Sequence, residues 1–151
     1  MGDQAVDKDQ FAIHHSKAYI VNPGDSQTNQ VIYYANHTGG TTSELYTDIN
    51  TTSRINVTVG RIIAYEIQYV VVDVSGSNDN SYFHIFGLIN NIGTGATMVG
   101  SPLIMTIGET NKGRHTPSFY ATGSDELGIQ ITSTADCKAT AYVRYTEVTF
   151  P

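Results

Sequence analysis

Five histidines and fourteen carboxylates are the side chains of this chain best able to hold a metal or move a proton. His14 and His15 are adjacent, so on a strand they point to opposite faces and cannot share an ion without a bend. His37 and His115 fall in polar stretches, and His84 sits inside an apolar run, where it reads as a packed strand residue. None of them repeats the paired spacing of a zinc site, and Cys137 stands alone. A cupin-like metal site needs two histidines one residue apart on one strand face, and that spacing is absent. The expectation is no metal and no cofactor.

The carboxylates Asp25, Asp48, Asp73, Asp79, Asp125, Glu126 and Asp136 fall mostly in turns, where a carboxylate supports the backbone through local hydrogen bonds. Asn78-Asp79-Asn80 imitates the start of a calcium loop, but the longer loop closing on Glu does not follow. Gly39-Gly40 and Gly93-Thr94-Gly95 lack the lysine and helix of a phosphate loop. No G-x-S-x-G elbow occurs, and no serine is set up beside a histidine as a nucleophile. Two carboxylates could still meet in space and cleave a glycan, yet no local spacing asks for it. The expectation is a chain without catalytic residues. Asn36, Asn50 and Asn56 begin glycosylation triplets that carry little meaning in a Thr- and Asn-rich chain without a signal peptide.

The aromatic residues form the last set. Tyr33-Tyr34 and Tyr82-Phe83 are adjacent pairs, so each places one ring on each face of a strand. Most rings should serve the core and cross-strand pairs. The rest would lie outward, where tyrosine favours subunit or ligand contacts. Phe11, Ile13, Tyr19, Tyr33, Tyr34, Tyr82 and Tyr142 are the candidate partner-binding residues.

The elements that carry these residues read as strands. In Arg61 to Val74, Ile63, Tyr65, Ile67, Tyr69 and Val71 share one face, with Ala64, Glu66 and Gln68 on the other. Further strands are expected at Phe11 to Val21, Gln30 to Ala35, Glu44 to Thr47 and Arg54 to Val59. Tyr82 to Asn90 is apolar on both faces and should be central or sandwiched between layers. Met98 to Ile107 contains Pro102, which removes a ladder donor and implies an edge or a bulge. Phe119 to Thr122, Leu127 to Thr132 and Lys138 to Val148 complete the set. In the last, Ala139, Ala141, Val143 and Tyr145 alternate with Thr140, Tyr142, Arg144 and Thr146. Turns or loops are expected at Asn22 to Asp25, Asn36 to Thr42, Ser75 to Ser81, Asn91 to Thr97 and Gly108 to Pro117. Strands spaced by such turns predict an all-β fold, an antiparallel β-sandwich or jelly roll.

At 151 residues the chain suits one domain, expected over residues 11–151 behind a short arm at residues 1–10. Its net charge of −6 and eight scattered basic residues argue against nucleic acid. A single cysteine rules out an intrachain disulfide, so packing or assembly must stabilise the fold. No apolar stretch could span a bilayer, and the polar start lacks the core of a signal peptide.

Read in order, several short motifs resemble the β-sandwich module of bacteriophage tail-fibre, tailspike and other virion surface proteins. They are Gly24-Asp25-Ser26-Gln27, the Thr-rich Thr38 to Thr42, Glu44-Leu45, Phe86-Gly87-Leu88-Ile89 and Met98-Val99-Gly100. The strand Leu127 to Thr132 and the closing Tyr142 to Val148 follow. The family often carries Trp before the penultimate strand and in the last one; here Phe119 and Ala139 stand near those places. The resemblance implies a phage virion protein, made in the host cytoplasm. Only a short arm precedes the module, which favours a capsid decoration (cement) protein binding the major capsid protein, by analogy a homotrimer. The alternative is a tail-fibre or receptor-binding tip that recognises host glycan. On the first reading the arm and Phe11 to Val21 make lattice contacts, and the loops Asn36 to Thr42, Ser75 to Ser81 and Gly108 to Pro117 face outward or a partner.

Overall fold

The computed structural model describes residues 26–48 and 52–149. The expected arm, the strand Phe11 to Val21, the turn Asn22 to Asp25 and the candidate residues Phe11, Ile13 and Tyr19 lie outside the described residues. Within them the chain is all-β, and two antiparallel sheets pack as one sandwich.

The larger sheet is built from β1 (Ser26–His37), β4 (Arg61–Asp73), β5 (Asn80–Asn91), β6 (Ala96–Met98), β7 (Leu103–Glu109) and β10 (Cys137–Thr149). Its order is β1-β10-β4-β5, and β6 and β7 pair successive stretches of β5. The smaller sheet holds β2 (Thr41–Leu45), β3 (Ile55–Asn56), β8 (His115–Ala121) and β9 (Glu126–Ser133). β9 is its centre, with β8 on one edge and β2 and β3 on the other.

Period-two patterning decides which side chains form the core. On β4 the expected face Ile63, Tyr65, Ile67, Tyr69 and Val71 is buried, as are Ala139, Ala141 and Val143 of β10. Phe83, Ile85 and Ile89 of β5 join them. Leu127, Ile129 and Ile131 of β9 and Leu45 of β2 close the core from the facing sheet. Each such aliphatic side chain stabilises the fold by about 1.5–3 kcal/mol through removal from water. The Tyr69 ring stands edge-on to Phe83 and Phe119, at 6.2 and 6.3 Å between centroids.

Tyr65 pairs with Gly87 across β4 and β5, and Tyr120 pairs with Gly128 across β8 and β9. A Cβ on Gly87 would come within 2.2 Å of the Tyr65 hydroxyl, and one on Gly128 within 2.5 Å of the Tyr120 ring. Each ring therefore covers the space its partner's missing side chain leaves, the arrangement by which aromatics rescue strand glycines.

Several expectations need correction. β5 is central in its sheet, flanked by β4 and by β6 and β7, but it is not sandwiched between layers: Phe83, Ile85 and Ile89 point inward, while Phe86 and Leu88 point outward and are exposed. Its outward apolar residues belong to the surface, so the apolar run came from two different demands. The loop expected over Asn36 to Thr42 shrinks to residues 38–40, because Thr41 and Thr42 enter the β2 ladder opposite Ser133 and Thr132. Gly108 and Glu109 likewise belong to β7, and His115 to Pro117 to β8. Pro117 is tolerated in β8 because this strand pairs only with β9 and forms a sheet edge. The single strand expected over Met98 to Ile107 divides into β6 and β7 around Pro102, whose missing donor falls in the break, and β7 lies at the sheet edge as expected. The loops expected over Ser75 to Ser81 and Asn91 to Thr97 also shorten, because Asn80, Ser81 and Asn91 belong to β5 and Ala96 and Thr97 to β6.

Candidate functional site

The outer face of the larger sheet combines a groove, exposed apolar side chains and a charged cluster. The ladder register sets it out in rows. Gln30, Arg144, Glu66, Phe86 and Leu103 lie side by side across β1, β10, β4, β5 and β7. Ile32, Tyr142, Gln68, His84 and Met105 form the next row, and Tyr34, Thr140, Val70 and Tyr82 the one after.

A groove of about 510 Å³ runs over Ala64, between Phe86, Leu88 and Leu103 on one side and Arg144 and Thr146 on the other. Ala64 forms the floor because its side chain is the shortest in its row. Glu66 is held from two sides: His84 Nε2 is 2.7 Å from its Oε1, and Arg144 Nη2 donates to its Oε2 at 3.0 Å. The His84 ring packs on Phe86 with centroids 4.5 Å apart. His84 is thus a surface residue fixed by a carboxylate and a ring, not a core one. Around this cluster Ile32, Val70, Val72, Phe86, Leu88, Val99 and Leu103 are exposed. This surface can bind a ligand or a partner by apolar burial, with one charged group oriented for a hydrogen bond.

The candidate residues divide between face and core. Tyr34, Tyr82 and Tyr142 are half-buried on the outer face, where a partner could reach them. Tyr33 does not join them. It is fully buried, its hydroxyl donates to the Leu127 carbonyl, and it accepts from the Ile55 amide at 2.5 Å. Burial pushes its phenol above the ordinary range, so it stays protonated. Adjacent aromatics must split between faces, and Tyr33 is the inward member. Phe86, Leu88, Glu66 and Arg144, missed as site residues, could have been found from their outward parity against the buried sets of β5, β4 and β10.

Two more polar clusters occupy other parts of the sandwich. At one end the turns 38–40, 74–79, 110–114 and 134–136 gather, linked by the Gly39 amide to Asp136, the Val74 amide to the Asp136 carbonyl and Arg114 to Asp79. Asp73 accepts the Ser75 amide and hydroxyl, both at 2.6 Å, the Ser77 hydroxyl, and Arg114 at 3.1 Å. The Ser75 and Ser77 bonds hold its carboxyl at about 2. Arg114 also grips Asp79. Asp73 supports the turn backbone through the Ser75 amide, as expected, whereas Asp79 accepts from the side chains of Ser77, Asn111 and Arg114. His115 is buried beside them; its Nδ1 shares a hydrogen bond of 2.8 Å with Ser81 Oγ, and burial lowers its pKa. On the outer face of the smaller sheet, Arg54 bridges Glu44 at 3.3 Å and Glu126 at 3.2 Å and stacks over Tyr46. Burial pulls the Arg54 pKa down, and Glu126 and Glu44 raise it by more. Tyr120 and Gln130 both donate to Glu44. Burial and then Glu44 push the Tyr120 phenol up to about 12. Among the described residues no group of three or more His, Cys, Asp or Glu is placed to hold a metal ion.

No family model and no curated protein matches this chain. It is similar to parts of two phage tailspikes. One is the tailspike protein gp49 of Acinetobacter baumannii bacteriophage Fri1, a capsular polysaccharide depolymerase, at 12% identity and a TM-score of 0.42. The other is the tailspike of Acinetobacter baumannii phage AM24, at 12% identity and a TM-score of 0.29. Each match covers 84% of this chain, but only 18% of the first tailspike and 26% of the second. The chain therefore spans about a fifth and about a quarter of these proteins.

Proposed function

We propose that this chain is a phage virion surface protein, a capsid decoration protein that docks on the major capsid protein through the outer face of its larger sheet. One observation carries the reading: that face exposes a contiguous apolar surface built around Phe86, Leu88, Val99 and Leu103. Large exposed apolar patches mark interaction surfaces, because water contact with them is costly. The order of sequence motifs supplies the virion context. Repetition over a shell would add avidity without demanding tight single contacts.

The role we propose is structural and not catalytic. A glycoside hydrolase keeps one of two facing carboxyls protonated. Here Glu44 and Glu126 are tied to one arginine, and Asp73 and Asp79 to another. An arginine that ion-pairs both carboxylates of a set occupies the oxygens that an acid and a base would need for the glycosidic bond.

A second reading, a tail tip that recognises host glycan, is favoured by one feature of the same face. The groove sets Glu66 and Arg144 beside the Phe86 ring, a mixture of hydrogen-bonding groups and aromatic surface suited to a sugar. Immunogold labelling with a copy count on purified virions separates the two readings. Many copies spread over the head support decoration. A few copies at the tail, with glycan-array binding that Phe86→Ala removes, replace it with the second reading. Absence from virions overturns both.

A further inference from the structure

We propose that β7 is a self-association edge: two copies of this chain pair β7 antiparallel with β7 across a two-fold axis, carrying the larger sheet of one copy into the other.

β7 hydrogen-bonds on one side only, to β5. Its other side offers a row of backbone donors and acceptors with no partner strand among the described residues. Such an edge is a template for another strand. The strand is also exposed on both faces. Leu103 and Ile107 are 59% and 55% exposed, and Ile104 and Met105 are exposed with them.

The usual protections of an edge are a lysine, a proline within the strand, or a bulge. β7 has no lysine, and Pro102 lies before its first residue. A bulge is present where Tyr82 pairs Gly108 and Phe83 pairs Thr106, and it leaves Ile107 as the extra residue. That bulge bends only the end of the strand and displays a large apolar side chain. Leu103 to Thr106 remain in regular register opposite Phe86 to Phe83.

A second copy is the occupant these features fit. No residue from Leu103 to Gly108 is charged, so two copies meet without repulsion. Antiparallel pairing sends the two Glu109 side chains to opposite ends of the seam. Four roughly half-exposed apolar side chains from each copy, with both strand backbones, can bury on the order of 700–900 Å², the size of a weak, reversible interface, which fits a concentration-dependent dimer. A head-to-tail ring would need β7 of one copy to meet the other edge of the sheet, β1. There Tyr34 already exchanges two backbone hydrogen bonds with Tyr46, at 2.9 and 3.2 Å. The isologous pair meets no such obstacle.

The test uses the purified 151-residue chain, so its outcome is separate from where the protein sits on a particle. Sedimentation velocity over a wide concentration range gives the mass, and hydrogen exchange reads the amides of residues 103–109. The expected result is a monomer–dimer equilibrium in which β7 gains protection as dimer forms. Leu103→Lys and Ile107→Lys each raise the dissociation constant at least tenfold, whereas Thr94→Lys, the same charge on a distant turn, leaves it unchanged. Both lysines replace exposed side chains, and circular dichroism checks that each variant folds. Four outcomes overturn the proposal: a monomer at every concentration, a trimer, a monomer in which β7 is already protected by its own chain, or a dimer indifferent to both edge lysines. The exchange arm decides the matter on the unaltered chain if a variant fails to fold.

Discussion

At the scale of single residues, two buried tyrosines make opposite predictions from the same substitution. The Tyr33 hydroxyl serves the Ile55 amide and the Leu127 carbonyl. Tyr33→Phe leaves a buried amide without its acceptor, which costs about 1–3 kcal/mol. The Tyr65 hydroxyl is buried with no hydrogen-bond partner among the described residues. Tyr65→Phe removes an unsatisfied polar atom at unchanged ring volume, so stability should hold within about 0.5 kcal/mol or rise. Urea denaturation of the two variants beside the parent checks both, and equal losses would refute the assignment. Gly87 supplies a third residue-scale prediction. Its Cβ would collide with a ring fixed in the core, so Gly87→Ala should cost about 1–3 kcal/mol as an overpacked site. Gly108→Ala, with open space around the new atom, is the control in the same denaturation series.

At the scale of elements, the junction of β4, β5, β7 and β8 makes stability depend on pH. His115 opens β8, buried beside Asp73, Asp79, Glu109 and Arg114, and its folded-state pKa lies below the ordinary value because burial disfavours the imidazolium. The unfolded chain then binds the proton more readily. The stabilisation is complete above about pH 6.5 and falls as the pH drops through that value toward the folded-state pKa. Asp73 works in a lower window. Its carboxyl is held at about 2, so its contribution is present above the ordinary carboxylate range and fades between that range and about 2. Unfolding free energies measured from pH 8 to pH 2 should decline below about 6.5 and again below about 4, and His115→Asn should flatten the first slope while leaving the second. A parent curve flat from pH 7 to 5 would refute the role of His115. The same junction shows what the sequence made legible. The alternation of Arg61 to Val74 named the five inward apolar residues of β4, because parity in a strand follows directly from residue order, but not Asp73, which is buried on the same parity. His115 and Thr41 read as loop residues because they are polar. Their strand state depends on β9, a partner far away in sequence, and no local pattern records a long-range pairing. The groove was hidden for the same reason: Ala64, Phe86 and Arg144 become neighbours only when three strands take their register.

At the scale of the whole molecule, the two sheets bury one face each and leave the larger one with its apolar exterior uncovered among the described residues. This asymmetry explains why β5 looks apolar throughout: half of its hydrophobic residues fold the chain, and half face outward. The two roles can be separated by substitution. Phe86 and Leu88 are 37% and 40% exposed on the outer face, so they add little to a core that Ile85 and Ile89 fill from the other side. Replacing both with serine should leave the melting temperature within a few degrees, since surface substitutions away from special features usually change stability by less than about 0.5 kcal/mol each. The same pair should carry a large share of docking energy, because truncating a central interface anchor commonly costs about 2 kcal/mol or more. Co-sedimentation of the double variant with phage shells that lack this protein should therefore fall at least about tenfold below that of the parent. Because the β7 edge remains intact in this variant, its self-association should persist, so face and edge can be scored independently on one preparation. A variant that unfolds would move Phe86 and Leu88 into the folding half of β5. One that binds shells as the parent does would remove the outer face from the docking surface.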